Sequence, residues 1–413
     1  MIYDYIIIGG GAAGIFSAIC AKEAFSNPRI LILEKSSQVL SKVKISGGGR
    51  CNVTHHCYDP KELIKNYPRG HLELLSPFMR FSCKDTVRWF ENKGVELKVE
   101  DDGRMFPVSN NSQTIIDVLL KQISNLDIEL KFKQNIDSIE KEGNIFKIQL
   151  DSGFCYYAHN VLLSTGSHPK GYELAAKLGH IIHKPIPSLF TFNIPNFEFA
   201  SLSGIATQSA KVSIKGTKLS QKGPLLITHF GFSGPSVIKL SAWAAKELHE
   251  KNYNFSILVN WLGEFDNIDV KQIILDRKKT QSIKQISSDP LFDLPKNLWK
   301  AIIAKTISSP EKKWADLSSL ELEKLSLNLV ASEFNVSGKT TNKEEFVTCG
   351  GVNLKEVNFK KMESKICKGL FFAGELLDID GVTGGFNFQN AWTTGYISGL
   401  SIETHFLSNK AKI

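Results

Sequence analysis

The sequence predicts an α/β fold in which a parallel-sheet domain, made from both ends of the chain, is interrupted by a β-rich insert. Three observations predict it. Residues 3–8 (YDYIII) and 29–33 (RILIL) are short apolar runs of the kind buried parallel strands show, and residues 12–25 between them carry apolar positions at helical spacing. Strand character returns near the C-terminus in GLFFAG (369–374), followed by a glycine-rich loop and a helix. Between these ends, from Pro187 onward, the texture changes to Thr, Ser, Val and Gly, and then to lysine-rich helical periodicity. The division this predicts is a discontinuous domain of 1–187 and 346–413, a β-rich insert domain of 188–265 and 331–345, and a helical subdomain of 266–330.

Taken in order, residues 3–33 form one βαβ unit. An amphipathic helix is predicted over 114–126 and a strand over 128–133. Segments 134–141, 144–150 and 153–158 read as a three-stranded meander with turns at Glu142–Asn144 and Asp151–Gly153. NVLLSTG (160–166) reads as a separate buried strand ending in a small-residue turn. In the insert, one helix follows Pro235, and Pro290, Pro295 and Pro310 break the helical stretch 268–330. Strand character resumes over 333–347, and the last helix begins near Asn387 and runs to about residue 404.

Composition narrows the class. A chain of 413 residues with 42% hydrophobic and 22% charged residues buries a large core, which excludes disordered and fibrous proteins. The net charge of +8 is mostly scattered lysine, read first as a solvated surface and second as tolerance of an anionic partner. Seven cysteines, an odd number with no CxxC pair, argue against a disulfide framework and a zinc ribbon, and fit a reducing compartment best. The apolar stretch Tyr5–Ala21 lacks a basic leader and is interrupted by glycines, so it is not read as a signal sequence. No other run approaches the ~20 apolar residues of a spanning helix. The chain is expected to be soluble and cytoplasmic, with no membrane partner and no oligomeric state legible.

Gly9-Gly10-Gly11-Ala12-Ala13-Gly14 fits GxGxxG. It follows a predicted strand, opens a helix, and is followed by Glu34, twenty residues past Gly14. Gly9 permits the tight turn, Gly11 lets a pyrophosphate reach the backbone, and Gly14 allows close helix–strand packing. The helix start offers unpaired N–H donors, and Glu34 can accept from both hydroxyls of an adenosine ribose. The pattern identifies a dinucleotide site without choosing between FAD and NAD.

A second glycine run lies in KISGGGRCNVT (44–54), where Arg50 is the evident cation and Cys51 is either a redox thiol or an inert packing residue. Near the C-terminus, Glu375, Asp378 and Asp380 precede Gly381-Val382-Thr383-Gly384-Gly385, and the following helix bears Asn387 and Gln389 in its first turn. A helix start aimed at a flavin would stabilise negative charge on the ring's pyrimidine end. No metal is expected at the acidic cluster, since no histidine sits beside it in the sequence and carboxylates near glycine turns commonly cap backbone N–H groups.

With these segments in hand the chain resembles the aminoacetone-oxidase-like family of bacterial FAD-binding flavoproteins, a group of NAD(P)/FAD-dependent oxidoreductases. The residues that carry the resemblance are GGGAAG (9–14), Lys42 with ISGGGRCNVT (45–54), GRMFP (103–107), THFGFSGP (228–235), TCGGVNLKE (348–356) and GELLDIDGVTGGFNFQNAW (374–392). Leu40-Ser41 stands where Gly-Arg commonly precedes Lys42. The resemblance implies a Rossmann-like FAD-binding domain, with a parallel sheet plus a β-meander, interrupted by a β-barrel-like insert with a helical subdomain. It implies noncovalent FAD, with Gly9, Gly11, Ala12, Ala13 and Gly14 at the pyrophosphate and Glu34 and Lys35 toward the adenosine. Lys42 and Ser46, Gly47, Gly48, Gly49, Arg50, Cys51 and Asn52 would lie near the ribityl chain and ring. Thr165 and Gly166, in a turn similar to the Ala-Thr-Gly of many FAD proteins, join them. Gly374 and Glu375 would face the ribityl hydroxyls, and Gly384, Gly385, Phe386, Asn387 and Gln389 the pyrimidine.

THFGFSGP (228–235) fails the hydrolase GxSxG pattern, because proline takes its last position. His229 and Arg104 are the candidates for lining the substrate space and for catalysis, His229 weighed against a hydrogen-bonded structural role. One complete dinucleotide fingerprint is present, so NAD(P)H enters as a transient electron donor or not at all. The leading reading is a flavin oxidoreductase acting on a small molecule, either an NAD(P)H-dependent reductase, as of an activated double bond, or an oxidase. A nucleic-acid-modifying flavoprotein ranks a distant second, prompted by the charge and by Arg277-Lys278-Lys279 and Lys312-Lys313. A flavin-binding sensor without turnover ranks third.

Overall fold

The computed structural model describes residues 1–340 and 347–402. It divides into two compact units, Met1–Pro187 with Lys343–Ile413, and Ser188–Asn342.

In the first unit, strand β1 (Ile2–Ile8) runs into helix α1 (Ala12–Ala24), which returns to strand β2 (Ile30–Leu33). Farther along lie β3 (Glu129–Lys131), β4 (Ile136–Glu142), β5 (Ile145–Leu150), β6 (Cys155–Leu163) and β7 (Leu370–Phe372), and helix α2 (Phe386–Gly399) follows β7. The order β7–β6–β1–β2–β3 is parallel throughout, which is the Rossmann-type arrangement. Apart from Asp4, β1, β2 and β7 are apolar on both faces, and they are buried almost throughout, as a parallel sheet covered on both sides requires. α1 and α2 both pack in its core, where Phe16 meets Trp392 edge-on with ring centroids 5.4 Å apart. Gly395 and Gly399 of α2 let the helices approach closely, since a Cβ on them would lie 2.6 Å from Ala13 O and 2.5 Å from Ser17 O.

One strand differs from expectation. The segments 153–158 and 160–166, read as two strands, are the single strand β6. One of its edges pairs with β1 over Tyr157–Leu163. The other pairs antiparallel with β5 over Cys155–Ala158 and then parallel with β7 over Val161–Leu163. Asn160, within this strand, is buried and its amide donates to the Asp4 carbonyl at 2.9 Å. The last helix ends at Gly399, and its expected extension to residue 404 falls partly outside the described residues.

The second unit is a seven-stranded antiparallel sheet with helices. Its order is Ser332–Ser337, Asn254–Asn260, Ala206–Ile214, Ser220–Thr228, Gly231–Ser233, Thr191–Asn193 and Lys339–Thr340. The first and last of these are neighbours in the chain, so the sheet curls back on itself. Two helices, Pro235–Trp243 and Ala245–Glu250, stand where one was expected. Three more follow at Asn267–Thr280, Lys296–Thr306 and Ser319–Val330. One apolar core joins Phe232, Trp261 and Phe334 of the sheet region to Ile274, Trp299 and Leu325 of these helices. The strand character expected over 333–347 covers 332–337 and 339–340, and 341–346 lies outside the described residues.

Candidate dinucleotide site

The turn after β1 delivers Gly9–Gly14 to the start of α1, and its three fingerprint glycines answer to different causes. Gly9 has φ +107°, and a Cβ there would sit 2.6 Å from the Ser164 carbonyl oxygen. A Cβ on Gly14 would sit 2.1 Å from Gly9 O. The protein's own packing demands both. Gly11 has φ −81°, open to any residue, and its Cβ would meet nothing nearer than Ser164 O at 4.0 Å. No contact among the described residues calls for glycine there, whereas close approach of a ligand to the backbone would.

α1 starts at Gly11 with no side-chain cap and no acid in its first turn. Elsewhere Asn111, Asp266 and Ser318 cap their helices with side-chain oxygens. An uncapped start leaves N–H groups turned outward and about half a positive charge, which suits a phosphate. Glu34, at the end of β2, accepts from Gly10 N at 2.7 Å and from Ser36 N at 2.8 Å, and this fixes its carboxylate beside the glycine turn. Lys35 is exposed, with Nζ 3.1 Å from His168 Nε2. Partial burial and that ammonium together lower the proton affinity of His168.

Residues 41–49 begin as a helix and break at Ser46, after which Gly47 and Gly48 turn left-handed. Leu40 is itself left-handed at φ +59°. A Cβ on Gly47 would press on the Phe106 ring at 2.8 Å, whereas one on Gly48 or Gly49 would meet nothing within 4 Å among the described residues. Gly48 and Gly49 thus border open space. The Lys42 ammonium is paired with Glu375 and donates to Ser167 Oγ at 3.3 Å. The other Glu375 oxygen accepts from Thr348 N at 3.0 Å. Gly166 lies beside Glu375, and the buried Thr165 hydroxyl has no partner among the described residues. These groups make a polar corner where β6 and β7 end.

Gly374, at φ +71°, follows β7, and the loop after it leads to α2, which starts at Gly385 with no side-chain cap and no acid in its first turn. The surroundings hold this start rigidly. With its amide oriented to suit its neighbours, Asn52 accepts from Gly385 N at 2.9 Å and donates to Thr54 O at 3.0 Å. The Tyr67 hydroxyl donates to Phe386 O at 2.6 Å, and His55 stacks on the Phe386 ring with centroids 4.6 Å apart. Asn387 closes the loop by accepting from Gly381 N and donating to Gly381 O. A Cβ on Gly384 would strike the Phe386 ring at 2.6 Å.

Several expected ligands therefore turn inward. The Gln389 side chain is buried and accepts from Thr54 and Thr86 while donating to Thr393. Asn52, Phe386 and Asn387 brace the loop. Ser46 donates to Val43 O. Cys51 is buried, and burial pushes its thiol up to about 12, so it is a protonated packing group and not a redox thiolate. Arg50 is paired with Glu100 at 2.6 Å and lies over Phe106 at 4.0 Å, so its charge is matched within the protein. Arg104 is likewise paired with Glu100 and Asp102. His229 is exposed at the turn between strands 220–228 and 231–233 of the second unit.

Other residues at the site carried no sequence signal. Arg69 forms a fork onto Asp380, and His183 Nδ1 stands 2.7 Å from Asp378, which also accepts from Gly350 N at 2.9 Å. The fold thus brings to Asp378 a histidine that lies 195 positions away in the sequence.

The HI0933-like protein Rossmann domain model matches residues 3–401. The chain belongs to that family. Among curated relatives, this chain is 27% identical over 411 residues to a 3-dehydro-bile acid delta(4,6)-reductase of Clostridium scindens, covering 95% of this chain and 97% of the relative. It is 28% identical over 414 residues to a ribosomal RNA dihydrouridine synthase of Haemophilus influenzae, covering 97% and 98%, and 26% identical over 406 residues to that of Escherichia coli, covering 95% and 96%. These relatives bear reductase and synthase names where the sequence suggested an aminoacetone-oxidase-like group. Among solved structures, the 3-ketosteroid delta1-dehydrogenase of Sterolibacterium denitrificans is similar in fold, with a TM-score of 0.50 at 12% identity, covering 97% of this chain and 99% of that one. This HI0933-like chain contains no described helix long and apolar enough to cross a membrane.

Proposed function

We propose that the chain is an FAD-dependent oxidoreductase that saturates a carbon–carbon double bond conjugated to a carbonyl in a small molecule, with NADH or NADPH as transient electron donor. The observation that carries this reading is Gly11: a glycine unneeded by the fold, at an uncapped helix start, beside a fixed Glu34 carboxylate. The orphaned Thr165 hydroxyl, the open cradle at Gly48 and Gly49, and the second uncapped helix start at Gly385 fit the rest of an FAD.

In this reading Gly9–Gly14 hold the pyrophosphate through backbone N–H groups, and Glu34 and Lys35 serve the adenosine. Lys42, Thr165, Gly166, Gly374 and Glu375 hold the ribityl chain. Ser46–Asn52 contribute backbone, and the start of α2 with Gly384 and Gly385 steadies the pyrimidine. Bound FAD supplies the hydride chemistry, and the chain supplies position and electrostatics. The names of the relatives support the reaction class. Dihydrouridine is uridine with its carbonyl-conjugated ring double bond saturated, and a 3-dehydro delta(4,6) steroid carries double bonds conjugated to a ketone.

The test is anaerobic. Purified protein should be yellow, NADH or NADPH should bleach it, and an α,β-unsaturated ketone should restore the colour. Colourless protein that takes up no FAD would overturn the reading. Bleaching by an amine or alcohol without nicotinamide would instead favour an oxidase.

The net charge of +8 and the two dihydrouridine synthase relatives favour one second reading, in which the reduced double bond lies in ribosomal RNA. It predicts RNA retention at low salt that falls steeply as salt rises, and dihydrouridine in RNA treated with reduced protein. Absence of both would remove it.

A further inference from the structure

The segment 66–69 grips the loop that leads into α2 at three points. Asn66 O accepts from Val382 N at 2.9 Å, the Tyr67 hydroxyl donates to Phe386 O at 2.6 Å, and Arg69 sets both Nε and Nη2 on the Asp380 carboxylate. The Asp380 side chain is fully buried and that of Arg69 is 11% exposed. Tyr67 is also fully buried and packs edge-on against Phe386. This ion pair is therefore built into the interior, six residues ahead of the helix start, and it joins positions 311 apart in sequence.

Taking two charges out of water is costly, and a well-packed apolar pair of the same volume often serves stability as well or better. A role beyond stability follows from position. Asp380 is a buried anion in the loop whose following helix presents its positive end. Left unmatched, that anion would oppose any negative charge gathering at the helix start. Arg69 cancels it through a planar fork that also fixes the direction of the loop, which a lysine point charge would not do.

We propose that Arg69 is a positioning residue for the cofactor: by neutralising and orienting Asp380 it keeps the start of α2 attractive to the electron-rich form of the flavin. The inference rests on the FAD reading above. It extends that reading to a residue that touches the cofactor only through the loop.

The experiment measures flavin content and the two-electron midpoint potential of holoprotein for wild type, Arg69→Lys, Arg69→Leu and the double variant Arg69→Leu/Asp380→Leu. In Arg69→Leu the buried carboxylate loses its partner, and the reduced flavin is expected to be disfavoured about tenfold, a fall of ~30 mV for a two-electron couple. The double variant removes both charges and should recover the wild-type potential. Arg69→Lys should hold the potential while losing flavin more readily, because charge survives and the fork does not.

Should Arg69→Leu fail to fold, the double variant and Arg69→Lys carry the comparison. A double variant with the wild-type potential and an Arg69→Lys protein that sheds flavin support the proposal. A loaded Arg69→Leu protein with unchanged potential and retention overturns it, as does a double variant shifted as far as the single one. Wild-type protein that takes up no FAD overturns this inference and the function together, whereas yellow wild-type protein with indifferent Arg69 variants sinks this inference alone.

Discussion

At the scale of single residues, three glycines of one motif separate into two kinds. Gly14 faces its own backbone, so Gly14→Ala should overpack the turn and cost about 1–3 kcal/mol of stability. Gly11 faces open space, and Gly11→Val should cost the cofactor-free protein only ~1 kcal/mol, through a poorer helix start, while cofactor retention is lost. Denaturant unfolding of both variants, with flavin quantified in parallel, checks this; a Gly11→Val protein that purifies fully loaded would refute the assignment. The spacing of GGGAAG made the motif legible, since each glycine acts locally, but it could not say which glycine answers to the ligand. That depends on Ser164, brought in by β6 from far along the chain. Cysteines follow the same logic. Burial raises Cys51 and Cys83 to about 12. A folded value above the unfolded one contributes stability in full below about pH 8.5, and that contribution is lost as pH rises toward 12. Neutral alkylation of native protein should therefore spare Cys51 and Cys83 and modify the half-buried Cys57, Cys155 or Cys367. Mass spectrometry showing rapid labelling at Cys51 would contradict its packing role.

At the scale of elements, legibility followed how local the governing interactions were. β1, α1 and β2 were visible because burial period and turn residues lie within thirty-odd residues. The double pairing of β6 was hidden, because the polar Asn160 inside it is satisfied by the Asp4 carbonyl, 156 positions away. The start of α2 was nearly placed, yet its bracing by Asn52, Tyr67 and Arg69 was not, since those partners arrive by tertiary contact alone. In the second unit, helix Ser319–Val330 carries a full capping box, with Ser318 and Glu321 serving each other's backbone N–H groups. Burial works to raise the Glu321 carboxyl, but the Lys312 ammonium and the Ser318 and Ser308 donors outweigh it and hold it well below the carboxylate range. A depressed folded value contributes stability above the unfolded pKa of about 4.3 and loses it as pH falls through that value and below. Ser318→Ala should cost about 1 kcal/mol at neutral pH. The loss should shrink under acid as Glu321 is protonated, and equal losses across a pH series of melts would count against this account of the cap.

At the scale of the whole molecule, the two units have separate cores, one around Phe16, Phe90 and Trp392 and the other around Trp261, Trp299 and Phe334. Every residue proposed to hold FAD belongs to the first. A ligand stabilises only what it binds in the native state, by ~2.7 kcal/mol when present at a hundred times its dissociation constant. Chains with two cores need not unfold in one step, so this stabilisation should be local. Hydrogen exchange with and without FAD makes that visible. Slowing should concentrate at 9–14, 44–54, 164–166 and 374–389, with the sheet behind them following. Peptides from the strands at 206–214, 220–228 and 254–260 should exchange at unchanged rates. Because those strands bury their amides in antiparallel pairs of their own, their protection reports the second core independently of the cofactor. Equal slowing there would mean that the second unit shares the cofactor's binding energy, and the assignment of the whole site to the first unit would fall.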